Sequence, residues 1–328
     1  MMRAFLYDAR GEDQEIELKD TFPKLQKHQL VWIDLNGREP DELKRLQDLL
    51  GLDARTLHHV KEQSRSTILS NYGEYIQFGV QCFAVKDLSE ITVPRVPALH
   101  RLDFIIGKEW LLTIHDQDVF FLDEFRKQDR GETLIGSLTP ASLAAALLDW
   151  HLVVFLEVMT KFEAFVDGLD VRMLGRKTIR DNLLAQVMAG RRFISSMRRT
   201  LSPQRAIFYG LSRPDFLLVA DASAALHFSS LERRFERTLD TVEHGRELIQ
   251  SSFELFTTRI AESTNVLVRR LTIVGAMLGT IGATAGIFGM NFDLPFNNTG
   301  VLGFWIVLIG MAAVVGTAAI LAWFKGWF

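Results

Sequence analysis

Charge is what the end of this chain lacks: after Arg270, the last 58 residues carry only Asp293 and Lys325 as charged side chains. A helix that is apolar all round is not the surface of an aqueous domain. Cysteine is nearly absent as well. The single residue, Cys82, excludes an internal disulfide framework and fits a reducing compartment. A basic excess is missing, since the formal net charge is −3, so there is no case for nucleic acid as a partner. The start, Met1-Met2-Arg3-Ala4-Phe5, runs directly into Asp8, Arg10 and Glu12 with no apolar h-region, and no cleaved signal peptide is expected. Also missing are a P-loop, an H-E-x-x-H and a G-x-S-x-G. ATP-driven pumping and common hydrolase chemistry are therefore not expected, nor is an enzyme or a resident cofactor.

What the end does contain is two long apolar runs, Leu271 to Phe292 and Val301 to Phe324. Each exceeds the roughly 20 residues a helix needs to cross a bilayer. The eight residues from Asp293 to Gly300 separate them, so they form a tight hairpin of transmembrane helices. Arg269 and Arg270 precede the first run, Lys325 follows the second, and the loop between has no Lys or Arg. The positive-inside rule then puts both termini in the cytoplasm and the loop outside, in a plasma membrane.

The first 135 residues pattern as a mixed α/β unit. Strands are predicted at Arg3–Tyr7, Leu30–Leu35, Tyr75–Val85, Leu102–Ile106 and Trp110–His115, the last two joined by a turn at Gly107-Lys108. Helices are predicted at Pro40–Leu50, where Asp41 and Glu42 load the first turn, and at Val119–Lys127. Residues 136–213 read as a helical pair: Thr139-Pro140 opens a helix to about Leu174 with a break at Gly175, and a second runs from about Arg180 to Tyr209, interrupted near Pro203. No proline occurs between Pro214 and Pro295. A stalk over 214–270 therefore continues into the first span (271–292), a helix of ~110 Å at 1.5 Å per residue. The outer loop (293–300) and the second span (301–324) complete the division.

Along that helix, Asn265, Val268, Thr272, Gly275, Gly279, Gly282, Gly286 and Gly289 alternate at steps of three and four. A 3.5-residue repeat keeps one stripe against a common axis when helices pack side by side. Small residues in such a stripe make a helix–helix seam, or they line a pore with exposed carbonyls and little obstruction. Asn265 and Asn291 sit at the two mouths, where an amide needs a partner or water. Two spans cannot enclose a pore, so the pore reading requires a homo-oligomer.

The end of the first span, Gly286-Ile287-Phe288-Gly289-Met290-Asn291-Phe292, resembles the signature of the CorA-type divalent-cation transporters. The strand Val31-Trp32-Ile33-Asp34-Leu35 and the helix Met197-Arg198-Arg199…Pro203 are similar to that family too, so the resemblance covers nearly the whole chain. It implies an α/β cytoplasmic domain, a long stalk helix and two C-terminal transmembrane helices, assembled as a homopentameric funnel. It further implies a selectivity filter at Gly289, Met290 and Asn291, with the pore lined by Asn265, Val268, Thr272, Gly275, Gly279, Gly282 and Gly286. Val268 and Leu271 fall at the hydrophobic gate, and Asn291, Asn265 and Glu254 are the groups the metal ion would meet; Asp293, at a spacing that differs from the family's acidic loop residue, is the expected attractor of the metal outside.

The chemistry agrees with a hydrated ion. Mg²⁺ sheds water reluctantly and prefers octahedral oxygen, which a ring of neutral amides can approach without stripping the shell. Two features depart from the family pattern. Asp293-Leu294-Pro295 replaces the Met-Pro-Glu usual after the triplet in magnesium members, and Ser230 stands where some members carry a regulatory carboxylate. Magnesium is thus expected as cargo, with cobalt or nickel as surrogates. The alternative cargo is zinc, moved with or without protons, although no His or Cys follows His244 to ligate a dehydrated zinc ion. A different class also stays open, a membrane-tethered ligand sensor. The other polar clusters read as ordinary: His58-His59 as a packing pair, Arg191-Arg192 and Arg198-Arg199 as a solvated face, and Glu232, Glu236, Asp240, Glu243 and Glu247 as i,i+4 partners of nearby arginines.

Overall fold

The computed structural model describes residues 1–10, 12–18, 21–61, 69–128, 138–175, 182–213, 222–290 and 300–324. It divides into two compact units, Met1–Ser252 and Phe253–Phe328.

The first unit opens with strands β1 (Met2–Asp8), β2 (Gln14–Ile16) and β3 (Gln29–Asn36), then helices α1 (Pro40–Leu50) and α2 (Ala54–Lys61). Next come β4 (Ser70–Asn71), β5 (Ile76–Phe83), β6 (Leu99–Ile106) and β7 (Trp110–His115), followed by α3 (Phe120–Gln128) and α4 (Pro140–Leu174). The strands form one seven-stranded sheet in the order β2-β1-β3-β7-β6-β5-β4. β3 and β7 pair in parallel at its centre, and β6 and β7 form the predicted hairpin, closed by Gly107 N–H donating to the Trp110 carbonyl at 2.9 Å.

Side chains alternate along β3 and sort the two faces. Val31, Ile33 and Leu35 join Leu43, Leu46, Leu57 and Val60 in a core beneath α1 and α2. On the opposite face, the Trp32 ring meets Phe125 of α3 edge-on at 5.9 Å, and Phe83 of β5 lies 4.6 Å from Phe155 of α4. The sheet is therefore covered on both sides, which explains why its central strands read as near-continuous apolar runs. Helix α1 has the predicted bounds, and Gly51 ends it in the left-handed region (φ 65°), where a Cβ would be strained.

Helix α4 begins as the Thr139-Pro140 pair foretold: the Thr139 hydroxyl accepts from Ser142 N–H at 3.2 Å. It is apolar enough to span a membrane, yet 61% of its most apolar window is buried inside the unit, so it is a core helix. After α5 (Asn182–Leu201) a 3₁₀ turn at Ser202–Gln204 carries Pro203, and α6 (Arg205–Leu211) follows. His151 of α4 is buried and shares a 3.2 Å hydrogen bond with Gln204 in that turn.

Helix α7 (Ala222–Phe288) is continuous over 67 residues. Its predicted start near Pro214-Asp215 lies outside the described residues. Within the first unit it buries Phe228, Leu231, Phe235, Thr238, Val242 and Ile249, at steps of three, four or seven. That is the 3.5 period of a supercoiled helix packing along its neighbours. Gly245 is on this face, and a Cβ there would lie 2.6 Å from Met159 Cε of α4. Glycine at 245 leaves the room that Met159 and Phe162 of α4 and Ile194 of α5 occupy.

The charges flanking this face also differ from the sequence reading. Glu236 pairs with Arg205 of α6 at 2.8 Å, Glu243 with Arg198 of α5, and Arg234 with Asp149 of α4 at 2.8 Å. These are tertiary ion pairs between helices rather than i,i+4 pairs along one, with Glu243–Arg246 at 3.6 Å an added local contact.

In the second unit, α8 (Val301–Phe324) has the predicted bounds of the second span. The most apolar windows of α7 and α8 are 0% buried, and both helices are long and apolar enough to cross a membrane.

Candidate ion pathway

The stripe predicted in the first span can be placed on α7. Asn265, Thr272, Gly275, Gly279, Gly282 and Gly286 are all exposed, and Val268 and Leu271 are 56% and 73% exposed. A Cβ built on Gly275, Gly279, Gly282 or Gly286 would meet nothing within 4 Å. The glycines are therefore not a seam between the two spans of one chain. The covered positions are elsewhere: Ile273, Met277 and Thr284 are partly buried, and Ala285 and Phe288 border an apolar cleft of about 380 Å³ with Gly303, Val307 and Met311 of α8. At 100° per residue this side lies about 170° around the helix from the glycines.

Polar groups on the stripe are handled locally. The Thr272 hydroxyl donates to the Val268 carbonyl at 2.8 Å, which satisfies it without a partner helix. Off the stripe, Thr280 and Thr284 do the same toward the Ala276 and Thr280 carbonyls. Glu254 is exposed further down the helix, and its carbonyl accepts from the Thr257 and Thr258 hydroxyls.

Helix α7 ends at Phe288, and a turn through Gly289 and Met290 follows, earlier than the predicted end at Phe292. Gly289 N–H donates to the Ala285 carbonyl at 2.9 Å and Met290 N–H to Ile287 at 3.3 Å. A Cβ on Gly289 would sit 3.1 Å from the Ala285 oxygen, so glycine lets the chain turn tightly there. Asn291 and Asp293 lie outside the described residues.

A profile of the CorA-like Mg2+ transporter protein family matches residues 27–325. The chain belongs to this family. The cobalt/magnesium transport protein CorA of Thermotoga maritima is 22% identical over 296 residues, covering 89% of this chain and 80% of the relative. Among solved structures, the CorA magnesium transporter from Methanocaldococcus jannaschii matches with a TM-score of 0.77 at 17% identity, over 99% of this chain and 98% of that one. The ZntB cytoplasmic domain from Vibrio parahaemolyticus matches with a TM-score of 0.62 at 13% identity, over 79% of this chain and 98% of that domain. At these identities the structural matches speak for the fold. This CorA-like chain is thus a member of a divalent-cation transporter family, with an α/β sheet domain, one long helix and apolar C-terminal helices.

The α/β unit of the CorA-like chain holds a buried polar network that sequence reading missed. Asp34 of β3 accepts from the Thr113 hydroxyl (2.6 Å), His115 Nε2 (3.1 Å) and Arg126 Nη1 (2.6 Å). Burial alone would push its carboxyl up, but the hydrogen bond and charge of His115, helped by Arg126 and Thr113, hold it below the usual carboxylate range. Burial likewise opposes charge on His115, and the bond to Asp34 outweighs it and raises the imidazole. The result is an ion triad clamping β3, β7 and α3. Asp34 lies within the family-like strand, but period-2 patterning marks only which face it occupies.

Other polar residues offer less. His58 and His59 sit 6.4 Å apart on α2, and among the described residues no group of three His, Cys, Asp or Glu is placed to hold a metal. A polar hollow beside α2 is lined by Asp53, Arg55, Tyr72 and Tyr75. Its groups engage one another: Arg55 grips Asp53 at 3.0 Å, and the Tyr75 hydroxyl meets Thr56 at 2.7 Å.

Proposed function

We propose that this chain forms a homopentamer in the bacterial inner membrane, with both termini cytoplasmic, and conducts hydrated Mg²⁺ through a central pore lined by α7. Domain limits follow the sequence reading, with a cytoplasmic α/β domain and helical pair, a stalk over 214–270 and spans over 271–292 and 301–324. Asn291 rings the outer mouth as the selectivity filter with Gly289 and Met290, and Asp293 beside it attracts cations. Asn265 rings the inner mouth, Val268 and Leu271 form the gate, and Glu254 meets the ion in the funnel.

The observation that carries this reading is the uncovered stripe. Gly275, Gly279, Gly282 and Gly286 face away from α8, a Cβ on any of them would meet nothing within 4 Å, and Thr272 is exposed on the same stripe. A tether needs no such face. Copies of the same helix around an axis would use it, leaving carbonyls and small side chains toward water. The helix dipole adds a fixed contribution: the C-terminal end of α7, at Phe288, carries about half a negative charge, placed where a cation would enter.

Neutral amides suit Mg²⁺ because they recognise its water shell without holding the ion too tightly to leave. Exposed Val268 and Leu271 suit a gate that closes by dewetting. Energy supply is not a difficulty. A divalent ion gains about 4.6 kcal/mol crossing a potential of 100 mV, roughly three orders of magnitude in concentration, with no proton coupling needed. Co²⁺ and Ni²⁺, similar octahedral hydrated ions, serve as surrogates.

The test is uptake by proteoliposomes. Mg²⁺ should enter under a potential alone, competed by Co²⁺ and Ni²⁺. Zn²⁺ uptake that requires a pH gradient and ignores Mg²⁺ would favour the zinc reading. No divalent uptake at all would leave the tethered sensor.

A further inference from the structure

The stripe does not begin at Asn265. Counting back along α7 by the same alternating steps gives Ala261, Thr258, Glu254 and Ser251, then Glu247, His244, Asp240, Arg237, Arg233 and Ser230. Every one of these positions is exposed. In the first unit this is informative, because the opposite face of α7 is buried along the same 3.5 period. Two kinds of charge emerge. Those flanking the buried face are drawn onto the unit: Arg234 to Asp149, Glu236 to Arg205, Glu243 to Arg198. Among the described residues, no ion pair engages Arg233, Arg237 or Asp240, and His244 and Glu247 meet only each other, at 3.8 Å on the same helix.

The charges on the outward stripe are ordered by sign. Nearest the span lie Glu254, Glu247 and Asp240, with His244 among them; farther away lie Arg237 and Arg233. From Asp240 to Glu254 the acidic stretch covers ~21 Å of helix at 1.5 Å per residue. Five copies would turn each position into a ring.

We infer that Arg233, Arg237, Asp240 and Glu247 line the ion's route on the cytoplasmic side, as a cation-gathering acidic zone next to the pore and a cation-repelling basic collar beyond it. This rests on the pentameric pore proposed above and extends it, because residues far from the filter then set the rate. Like-charged rings in a low-dielectric funnel focus the field and change the local cation concentration. The acidic zone raises the supply of ions at the inner mouth, and the collar lowers entry from the wide end.

The experiment uses the full chain in vesicles whose N-terminal unit faces the bath, with Mg²⁺ entering from that side. At about 0.01 M salt the Debye length is about 30 Å, and at about 1 M it is about 3 Å. Removing the acidic charges, with Asp240→Asn and Glu247→Gln together, should cut the initial rate about tenfold at low salt, the low end of such focusing effects. The difference should vanish at high salt. Arg233→Gln with Arg237→Gln should raise the low-salt rate, and Glu236→Gln, whose charge is spent on Arg205, should leave it unchanged. Stripe variants that match wild type at low salt, or a Glu236→Gln effect as large as theirs, would overturn the inference.

A second measurement separates it from the pore reading. In a Cys82→Ser background, Arg237→Cys treated with a flexible bis-maleimide should link copies into a ladder, whereas Glu236→Cys should not. Wild-type flux with no Arg237→Cys ladder overturns this inference and leaves transport standing. Absence of flux from the wild type overturns both.

Discussion

Gly245 and Gly279 belong to one helix and face opposite conditions. A Cβ on Gly245 would strike Met159 at 2.6 Å, with Ile194 at 3.1 Å and Phe162 at 3.3 Å; a Cβ on Gly279 would meet nothing within 4 Å. The first glycine exists because α4 and α5 crowd it. The second serves no contact inside its own chain. The contrast extends to the two units. In Met1–Ser252 apolar faces are buried and charges are paired across helices, so one copy largely satisfies itself. In Phe253–Phe328, Leu271, Leu278, Ile309 and Trp323 are more than half exposed. Those surfaces can be satisfied by lipid, but the glycine stripe gains little from lipid and much from close approach of other copies.

This contrast puts the largest stability effects in the first unit. Arg126→Met removes a partner from buried Asp34 and should cost about 3–5 kcal/mol in denaturant unfolding, as stranding a buried charge does. A cost near zero would mean the triad is not what clamps α3 to the sheet.

Acid should act on the same unit. Burial lowers His151 to about 4, so the folded state refuses a proton that the unfolded chain accepts below 6.5. Its folded form must stay neutral, and stability falls as pH drops from 6.5 toward 4, by about 3 kcal/mol. His100, lowered to about 4 by burial and then by the charge of His115, acts in the same direction. His115 is raised, so its contribution is complete below 6.5 and fades only as pH climbs through its folded value; Asp34, lowered, weakens only in stronger acid. Unfolding curves of His151→Asn should show a flatter slope between pH 6.5 and 4 than wild type. An unchanged slope would assign the acid sensitivity to other groups.

The smallest effects sharpen the comparison most. Gly245→Ala should cost about 1–3 kcal/mol, softened by the flexible Met159 end it meets. Gly279→Ala should change unfolding of the chain by under about 0.5 kcal/mol, as isolated surface substitutions do, yet lower ion flux. Equal costs at the two glycines would mean that α7 is not divided as described.

Much of the fold was legible in sequence because its signals are local and periodic. Pro40–Leu50 and Val301–Phe324 have their predicted limits, the Thr139 cap forms, and Gly175 and Pro203 interrupt helices where expected. The strands β2 and β4, three and two residues long, carry too few residues for a period, and β6 starts at Leu99, three residues before its predicted start. Helix α2 was also missed, since eight residues give barely two turns. Pairing was harder. The partners of Glu236 and Glu243 are 31 and 45 residues away, so spacing along α7 pointed to the wrong arginines. The stripe was seen from Asn265 onward, where glycine makes it conspicuous; its charged continuation down to Arg233 emerges once burial separates the two faces.

Selectivity in the proposed pore turns on Asn291. The decisive measurement is the initial rate of potential-driven Mg²⁺ uptake by proteoliposomes carrying Asn291→Ala, beside wild type of equal protein content and oligomeric state. The proposed selectivity ring predicts that the rate falls to that of empty vesicles while the protein still assembles. Uptake at the wild-type rate would contradict a selectivity ring at the end of the α7 stripe.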